Sequence, residues 1–295
     1  MSKFVIITDS CSELSKDLRQ KYDIDYIPMH FTLNGIDYDA SLDWERISPK
    51  QLYDLLREGK RVTTAQITKE EYMEKFSFYL EKGYDVLSVS CSSALSASVK
   101  ASCFARDELK EKYPDRKVIC IDSLMACAGL GILCITASEM RAEGKTIEEV
   151  AEWIEEHKLT MNQECTVEKL TYLKVAGRVS AASAFFGGLL SIKPIIISDA
   201  KGHNFAIEKV KGRANSIERV IDRFFEAYED LPYQHIFISH ADCGEVALEV
   251  KDKVLARLGK EQEIQILPLG PIVGATCGPG TIALYCYGKK VTTNA

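Results

Sequence analysis

Short apolar runs alternate with stretches of helical periodicity through the first half of this chain, and that alternation restricts it to parallel βαβ units more than any other feature does. The run Phe4–Ile7 precedes Ser12–Lys21, in which Leu14 and Leu18 lie four residues apart. Then come Tyr26–Leu33, helices around Pro49–Glu58 and at Lys69–Lys82, the strand Asp85–Val89, a helix over Leu95–Lys112, the strand Lys117–Ile121 and a helix over Met125–Glu143. The second half reads differently, with strands at Val167–Leu173, Ile195–Ser198, Ala206–Lys211, His235–Ser239 and Ile264–Leu269, and helices at Ser180–Leu190, Asn215–Tyr228 and Gly244–Leu258. At 295 residues two lobes are the default. We expect an α/β fold with a mostly parallel sheet in an N-terminal domain, 1–155, and an α+β C-terminal domain, 156–295, divided in the helix near Glu148–His157. No Pro/Gly/Ser-rich linker separates them, so the lobes should pack closely around a cleft.

Composition excludes several function classes. A net charge of −6 without any basic block argues against a nucleic-acid surface. The apolar run at the start of the chain is too short for a signal peptide. The longest run of small and apolar residues, Ala126 to Ala137, falls short of the ~20 residues that span a bilayer. The ten cysteines form no C-x-x-C pair and no Cys/His cluster at metal spacing. Reduced, mostly buried thiols, a cytoplasmic location and no metal are the expectation.

Familiar catalytic motifs fail on spacing. Gly144-Lys145-Thr146 lacks the earlier glycine of a P-loop, since Glu139 stands there. Gly278-Pro279-Gly280-Thr281-Ile282-Ala283 fits a dinucleotide pattern but leaves no room for an acidic ribose partner. There is no G-x-S-x-G elbow. The histidines are dispersed, and only His240 follows a strand where clefts form. What remains is a set of hydroxyl-bearing strand ends: Thr8-Asp9-Ser10, Thr63-Thr64-Ala65-Gln66, Ser92-Ser93, Asp122-Ser123 and Thr276-Cys277-Gly278-Pro279-Gly280. Each is an ordinary turn or cap if isolated. Converging, they line a mouth of neutral donors suited to a single carboxylate rather than a polyphosphate.

The order and spacing of these pieces resemble the DegV family. The matching segments are Thr8-Asp9-Ser10 with Leu14, Thr64-Ala65-Gln66-Ile67-Thr68, Ser92-Ser93-Ala94-Leu95-Ser96, Asp122-Ser123 with Gly129-Leu130-Gly131, Gly177-Arg178-Val179-Ser180, Leu189-Leu190-Ser191-Ile192-Lys193-Pro194 and Gly278-Pro279-Gly280-Thr281. Three departures stand out: Thr276 occupies a position where the family usually carries His, Ile67 replaces a Pro, and the helix after the hydroxyl pair begins Ser96-Ala97-Ser98 where the family commonly has S-G-T.

The resemblance implies a two-domain carrier rather than an enzyme, with no cofactor. A long-chain fatty acid such as palmitate, stearate or oleate would be buried between or within the lobes and presented to a separate fatty acid kinase for acyl-phosphate formation. Contact with a membrane would be transient. The carboxylate would be held by Thr64, Ser92 or Ser93, by Thr276 and Cys277, and by backbone N–H groups near Gly278 and Gly280. Arg178 is the position associated with kinase docking; otherwise it pairs with a local carboxylate to hold a loop. Two rival functions stay open: a lipid sensor or storage protein without a kinase partner, and a serine-dependent α/β hydrolase using Ser93 or Ser10.

Overall fold

The computed structural model describes residues 3–180 and 191–294. Thirteen strands are β1 (Phe4–Asp9), β2 (Ile24–Ile27), β3 (His30–Leu33), β4 (Ile36–Asp39), β5 (Val62–Ala65), β6 (Asp85–Ser90), β7 (Val118–Asp122), β8 (Met161–Thr166), β9 (Ile192–Ser198), β10 (Asn204–Lys211), β11 (Ile236–His240), β12 (Ile264–Pro268) and β13 (Ile282–Tyr287) among the described residues. The described helices are α1 (Lys16–Lys21), α2 (Pro49–Arg57), α3 (Lys69–Leu80), α4 (Ser98–Lys112), α5 (Cys127–Ala142), α6 (Ile147–His157), α7 (Thr171–Ala176), α8 (Arg213–Ala227), α9 (Gly244–Leu258) and α10 (Pro271–Cys277).

Strands β2-β1-β6-β7 form a wholly parallel sheet, as the alternation of strands and helices requires. Its centre is apolar on both faces: Ile6, Ile7, Val86 and Leu87 are fully buried, because helices cover both sides. The second sheet is mixed, in the order β10-β9-β8-β13-β11-β12, with only β11–β12 parallel. A small antiparallel sheet, β4-β3-β5, stands apart from both. Capping boxes at Ser48/Gln51, Thr68/Glu71 and Thr146/Glu149 fix the starts of α2, α3 and α6.

The run Ala126 to Ala137 becomes most of α5, which packs against β1 and β6 on one side and β8, β11 and β13 on the other. Small residues allow that close approach. A Cβ on Gly131 would come within 2.6 Å of the Ser12 carbonyl oxygen. One apolar core therefore runs from the parallel sheet into the mixed sheet, joining Ile6 and Leu130 to Cys165 and Tyr285.

Several elements differ from expectation. Tyr26–Leu33 is two strands in different sheets, broken around Pro28, which cannot donate to a ladder. Val167–Leu173 is not a strand: β8 ends at Thr166, and α7 starts at Thr171. Of the helix expected at Ser180–Leu190 only Ser180 is described, as an isolated bridge to Phe205, and the rest, with the start of Leu189–Pro194, lies outside the described residues. No described helix is long and apolar enough to cross a membrane.

Candidate functional site

Chain connections leave β1 toward β2 on one side and β6 toward β7 on the other, so the carboxyl ends of β1 and β6 mark the reversal point of the parallel sheet. Open α/β sheets bind ligands at that point. The residues that follow these two strands, Cys11 and Cys91, line a cavity of about 350 Å³. The facing wall is built by Gln163 and Cys165 of β8 and Ala283 and Tyr285 of β13, while α10 contributes Ile272, Val273, Thr276 and Cys277. Thr64, Gln66, Ser96 and Arg178 complete the lining. Ligand cavities run from roughly 300 to 1,000 Å³, so the space suits one slender molecule.

At the reversal point the backbone donors are already taken. The Asp9 carboxylate accepts from Cys11 N at 2.9 Å and Cys91 N at 2.7 Å, and burial pushes its pKa up to about 6 against the pull of those two bonds. Nearby Glu13 is 4% exposed, with its Oε2 accepting from Gly270 N at 2.5 Å and its Oε1 unpartnered. Burial pushes this carboxyl well above the usual carboxylate range. Tyr53 donates to Leu269 O at 2.8 Å, so two side chains from the first half clamp the residues leading into α10. Burial also raises the thiols of Cys127 and Cys165, and that of Cys277 to about 12, leaving this part of the lining neutral and sulfur-rich. Cys11 donates to the Met29 sulfur at 3.6 Å.

Of the residues expected at a carboxylate site, Thr64, Thr276, Cys277 and Arg178 line the cavity, and Ser92, Ser93, Gly278 and Gly280 do not. The Thr64 hydroxyl has no hydrogen-bond partner among the described residues and is free to donate. Thr276 spends its donor on Ile272 O at 2.9 Å, a bond inside its own helix. Ser92 is fully buried and donates to Gly202 O at 2.9 Å, tying the β6 end to the β9–β10 turn. Gly202 has φ +80°, and a Cβ there would meet the Ser92 hydroxyl at 2.1 Å, so Ser92 is a contact between the two halves. Ser93 is exposed, its amide donating to Asp122 at 3.1 Å. The Gly278 and Gly280 amides donate to Gly274 O and Ala241 O, which removes them as anion donors. His240 is absent from the lining, and the Ser10 hydroxyl accepts from Met29 N at 2.9 Å.

Arg178 is exposed at the mouth and donates to Leu95 O at 3.2 Å and Ala176 O at 2.5 Å. It bridges two loops through carbonyls, and among the described residues no carboxylate neutralises it. The sequence reading missed a polar seam along one wall, where Tyr285 donates to Gln163, Gln163 to Asn204 Oδ1 at 3.2 Å, and Asn204 to Arg178 O at 3.1 Å. Gln163 and Tyr285 lie on strands that periodicity did not reveal, so no local signal pointed to them.

A family model described as uncharacterised protein of the DegV family matches residues 3–289. The chain belongs to the DegV family. A DegV domain-containing protein of Clostridium perfringens is 37% identical over 290 residues, covering 98% of each chain. A fatty-acid-binding DegV family protein from Thermus thermophilus superposes with a TM-score of 0.86 at 27% identity, over 97% of this chain and 100% of that one. A Thermotoga maritima protein with fatty acid binding function gives 0.83 at 26% identity, over 98% and 100%. In this DegV chain a second, open groove of about 590 Å³ adjoins the cavity and shares Thr64, Thr276 and Arg178 with it. Lys60, Arg61 and Lys169 also line the groove, exposed and without a carboxylate partner among the described residues. Among the described residues no cluster of three or more His, Cys, Asp or Glu could hold a metal ion.

Proposed function

We propose that this DegV protein binds one long-chain fatty acid, its tail in the cavity behind Cys11 and Cys91 and its carboxylate at the mouth, on Thr64 and near Arg178. The observation that carries the reading is the pairing of an apolar, sulfur-lined interior with a hydroxyl and a cation at its opening that have no side-chain partner among the described residues. Tail burial supplies affinity at ~0.8 kcal/mol per methylene. A carboxylate needs few donors once the tail has fixed its position. Residues 1–155 and 156–295 act as the two lobes that enclose the ligand.

The carrier would present its ligand to a fatty acid kinase, which makes the acyl phosphate. The basic groove beside the mouth supports this: in a chain of net charge −6, four exposed cations without carboxylate partners among the described residues suit an acidic partner surface. Storage without a kinase is the second reading, favoured by Thr276, whose hydroxyl donates to Ile272 O and cannot become cationic near neutral pH as a histidine could.

Mass spectrometry of an organic extract of the purified protein tests the ligand, with near-stoichiometric fatty acid expected. An extract without lipid, together with no rise in melting temperature on adding oleate or palmitate, would refute the reading. Arg61→Glu with Lys169→Glu should slow turnover by a fatty acid kinase and leave fatty-acid affinity unchanged. Unchanged turnover would favour storage.

A further inference from the structure

Two tyrosines on β13 share one face of the mixed sheet, and their hydroxyls meet very different partners. Tyr287 makes a hydrogen bond of 2.9 Å with the Thr136 hydroxyl. Tyr285 lines the cavity, is 1% exposed, and reaches Gln163 Oε1 only at 3.4 Å, well beyond the ~2.8 Å usual between oxygens. The Cys127 thiol beside it is a weak hydrogen-bond partner. Gln163 stands opposite Tyr285 in the β8–β13 register, is buried, and lines the same cavity. Its amide has two N–H donors; one goes to Asn204 Oδ1 at 3.2 Å, and the described residues supply nothing for the other. The opposite face of β8 shows the contrast. There Asn162 donates to Thr160 O at 2.9 Å and to Lys289 O at 3.0 Å, and Glu164 accepts from Arg223 at 2.6 and 3.2 Å. Buried polar groups are normally paired, so a shortfall confined to the cavity face points to a partner that the ligand brings.

We propose that Tyr285 and Gln163 form a recognition site for a hydroxyl group on the tail of the ligand, which makes hydroxylated long-chain fatty acids a preferred class of ligand for this cavity. The inference rests on the fatty-acid reading and adds to it a second polar contact, inside the cavity rather than at the mouth.

A hydroxyl suits the pair because it donates and accepts at once. It accepts from the Tyr285 hydroxyl or from the spare Gln163 N–H, and it donates to Gln163 Oε1. A plain methylene chain lying across the pair displaces the solvent that would otherwise satisfy these groups and returns no hydrogen bond. Position along the tail matters as much as presence. The next cavity-facing pair on the same two strands is Cys165 and Ala283, so a hydroxyl shifted to that level meets sulfur and carbon and is buried without a strong partner.

The test is displacement of a fluorescent fatty acid from the whole, delipidated chain by stearate and by monohydroxystearates with the hydroxyl at successive positions along the tail. In a wholly apolar cavity a buried hydroxyl weakens binding about 10- to 100-fold. Here the isomer whose hydroxyl reaches the pair should bind at least as tightly as stearate, with losses of that size for hydroxyls buried at other levels. Tyr285→Phe keeps the ring, so it should leave stearate affinity within about threefold and weaken the favoured isomer about fivefold or more. Losses of about tenfold or more for every isomer on the wild type would overturn the proposal, and so would a favoured isomer indifferent to Tyr285→Phe. Stearate bound with every isomer refused sinks this inference alone, whereas stearate failing to displace the probe sinks the fatty-acid reading with it. The ligand series is read on the wild-type fold, so a poorly folding variant cannot hide the answer.

Discussion

Replacing Thr64 by Val removes one oxygen from the mouth of the cavity and little else. Val is β-branched like Thr and suits β5, where Thr64 pairs with Phe31 of β3 through backbone bonds that the substitution keeps. The Thr64 hydroxyl has no partner among the described residues, so the unliganded fold loses no internal hydrogen bond. If that hydroxyl donates to the fatty-acid carboxylate, its loss removes a hydrogen bond to a charged group, worth roughly 1.5–3 kcal/mol. At ~1.4 kcal/mol per tenfold, the dissociation constant should rise about 10- to 150-fold. The assay is displacement of a fluorescent fatty acid, with thermal unfolding of delipidated protein as the control for the fold. Thr276→Val is the matched comparison: its donor already goes to Ile272 O, so affinity should change by less than about threefold, under 1 kcal/mol. Equal affinities for wild type and Thr64→Val, or a larger loss at Thr276, would refute the placement of the carboxylate.

Two further outcomes follow from the same geometry. Ser96→Ala should weaken fatty-acid binding more than Ser93→Ala, because Ser96 lines the cavity and Ser93 is exposed outside it; isothermal titration with both variants checks this, and a larger loss at Ser93 would contradict it. Glu13→Gln can still accept from Gly270 N but has no charge to bury. The folded wild type holds the Glu13 proton to higher pH than the unfolded chain, so its stability falls as pH rises above the unfolded value of about 4.3. Chemical denaturation should therefore show the stability of Glu13→Gln gaining on wild type from pH 5 to pH 8, and a constant difference would mean that Glu13 does not titrate in that range.

The parallel half of the fold was legible because buried strands such as Phe4–Asp9 and Asp85–Ser90 are short apolar runs between amphipathic helices, and chain order then dictates parallel pairing. β8 and β13, the two central strands that carry Gln163 and Tyr285, were not. Residues 161–166 read Met-Asn-Gln-Glu-Cys-Thr and are polar in sequence, yet all six are buried, because Glu164 meets Arg223 at 2.6 Å and Asn162 bonds to Lys289 O at 3.0 Å. Partners more than fifty residues away make such a strand possible, and local periodicity cannot reveal them. Of the hydroxyl strand ends, only those at Thr64 and Thr276 line the cavity, and the sequence does not tell them from the rest. Thr64 and Ser92 look equivalent in sequence, and only the position of Gly202 turns Ser92 into a contact between the two halves while Thr64 stays free.

Asp9 is the physical reason that the proposed reading puts the carboxylate at the opening rather than at the reversal point of the parallel sheet. The amides after β1 and β6 are the natural anion donors of such a sheet, and here a carboxylate from the chain itself occupies both. A ligand carboxylate brought there would face Asp9, which is ionised above about 6, and no cation pairs with Asp9 among the described residues. Like charges in a dry site cost far more than the same pair in water, so that end accepts only an apolar group. Arg178, in contrast, carries a full charge at the solvent edge without a carboxylate to spend it on among the described residues. On the proposed reading, the sheet's own carboxylate and the arginine at the mouth would set one direction for an amphipathic chain, tail first past Thr64 toward Cys11 and Cys91, with the acid left where a partner could reach it.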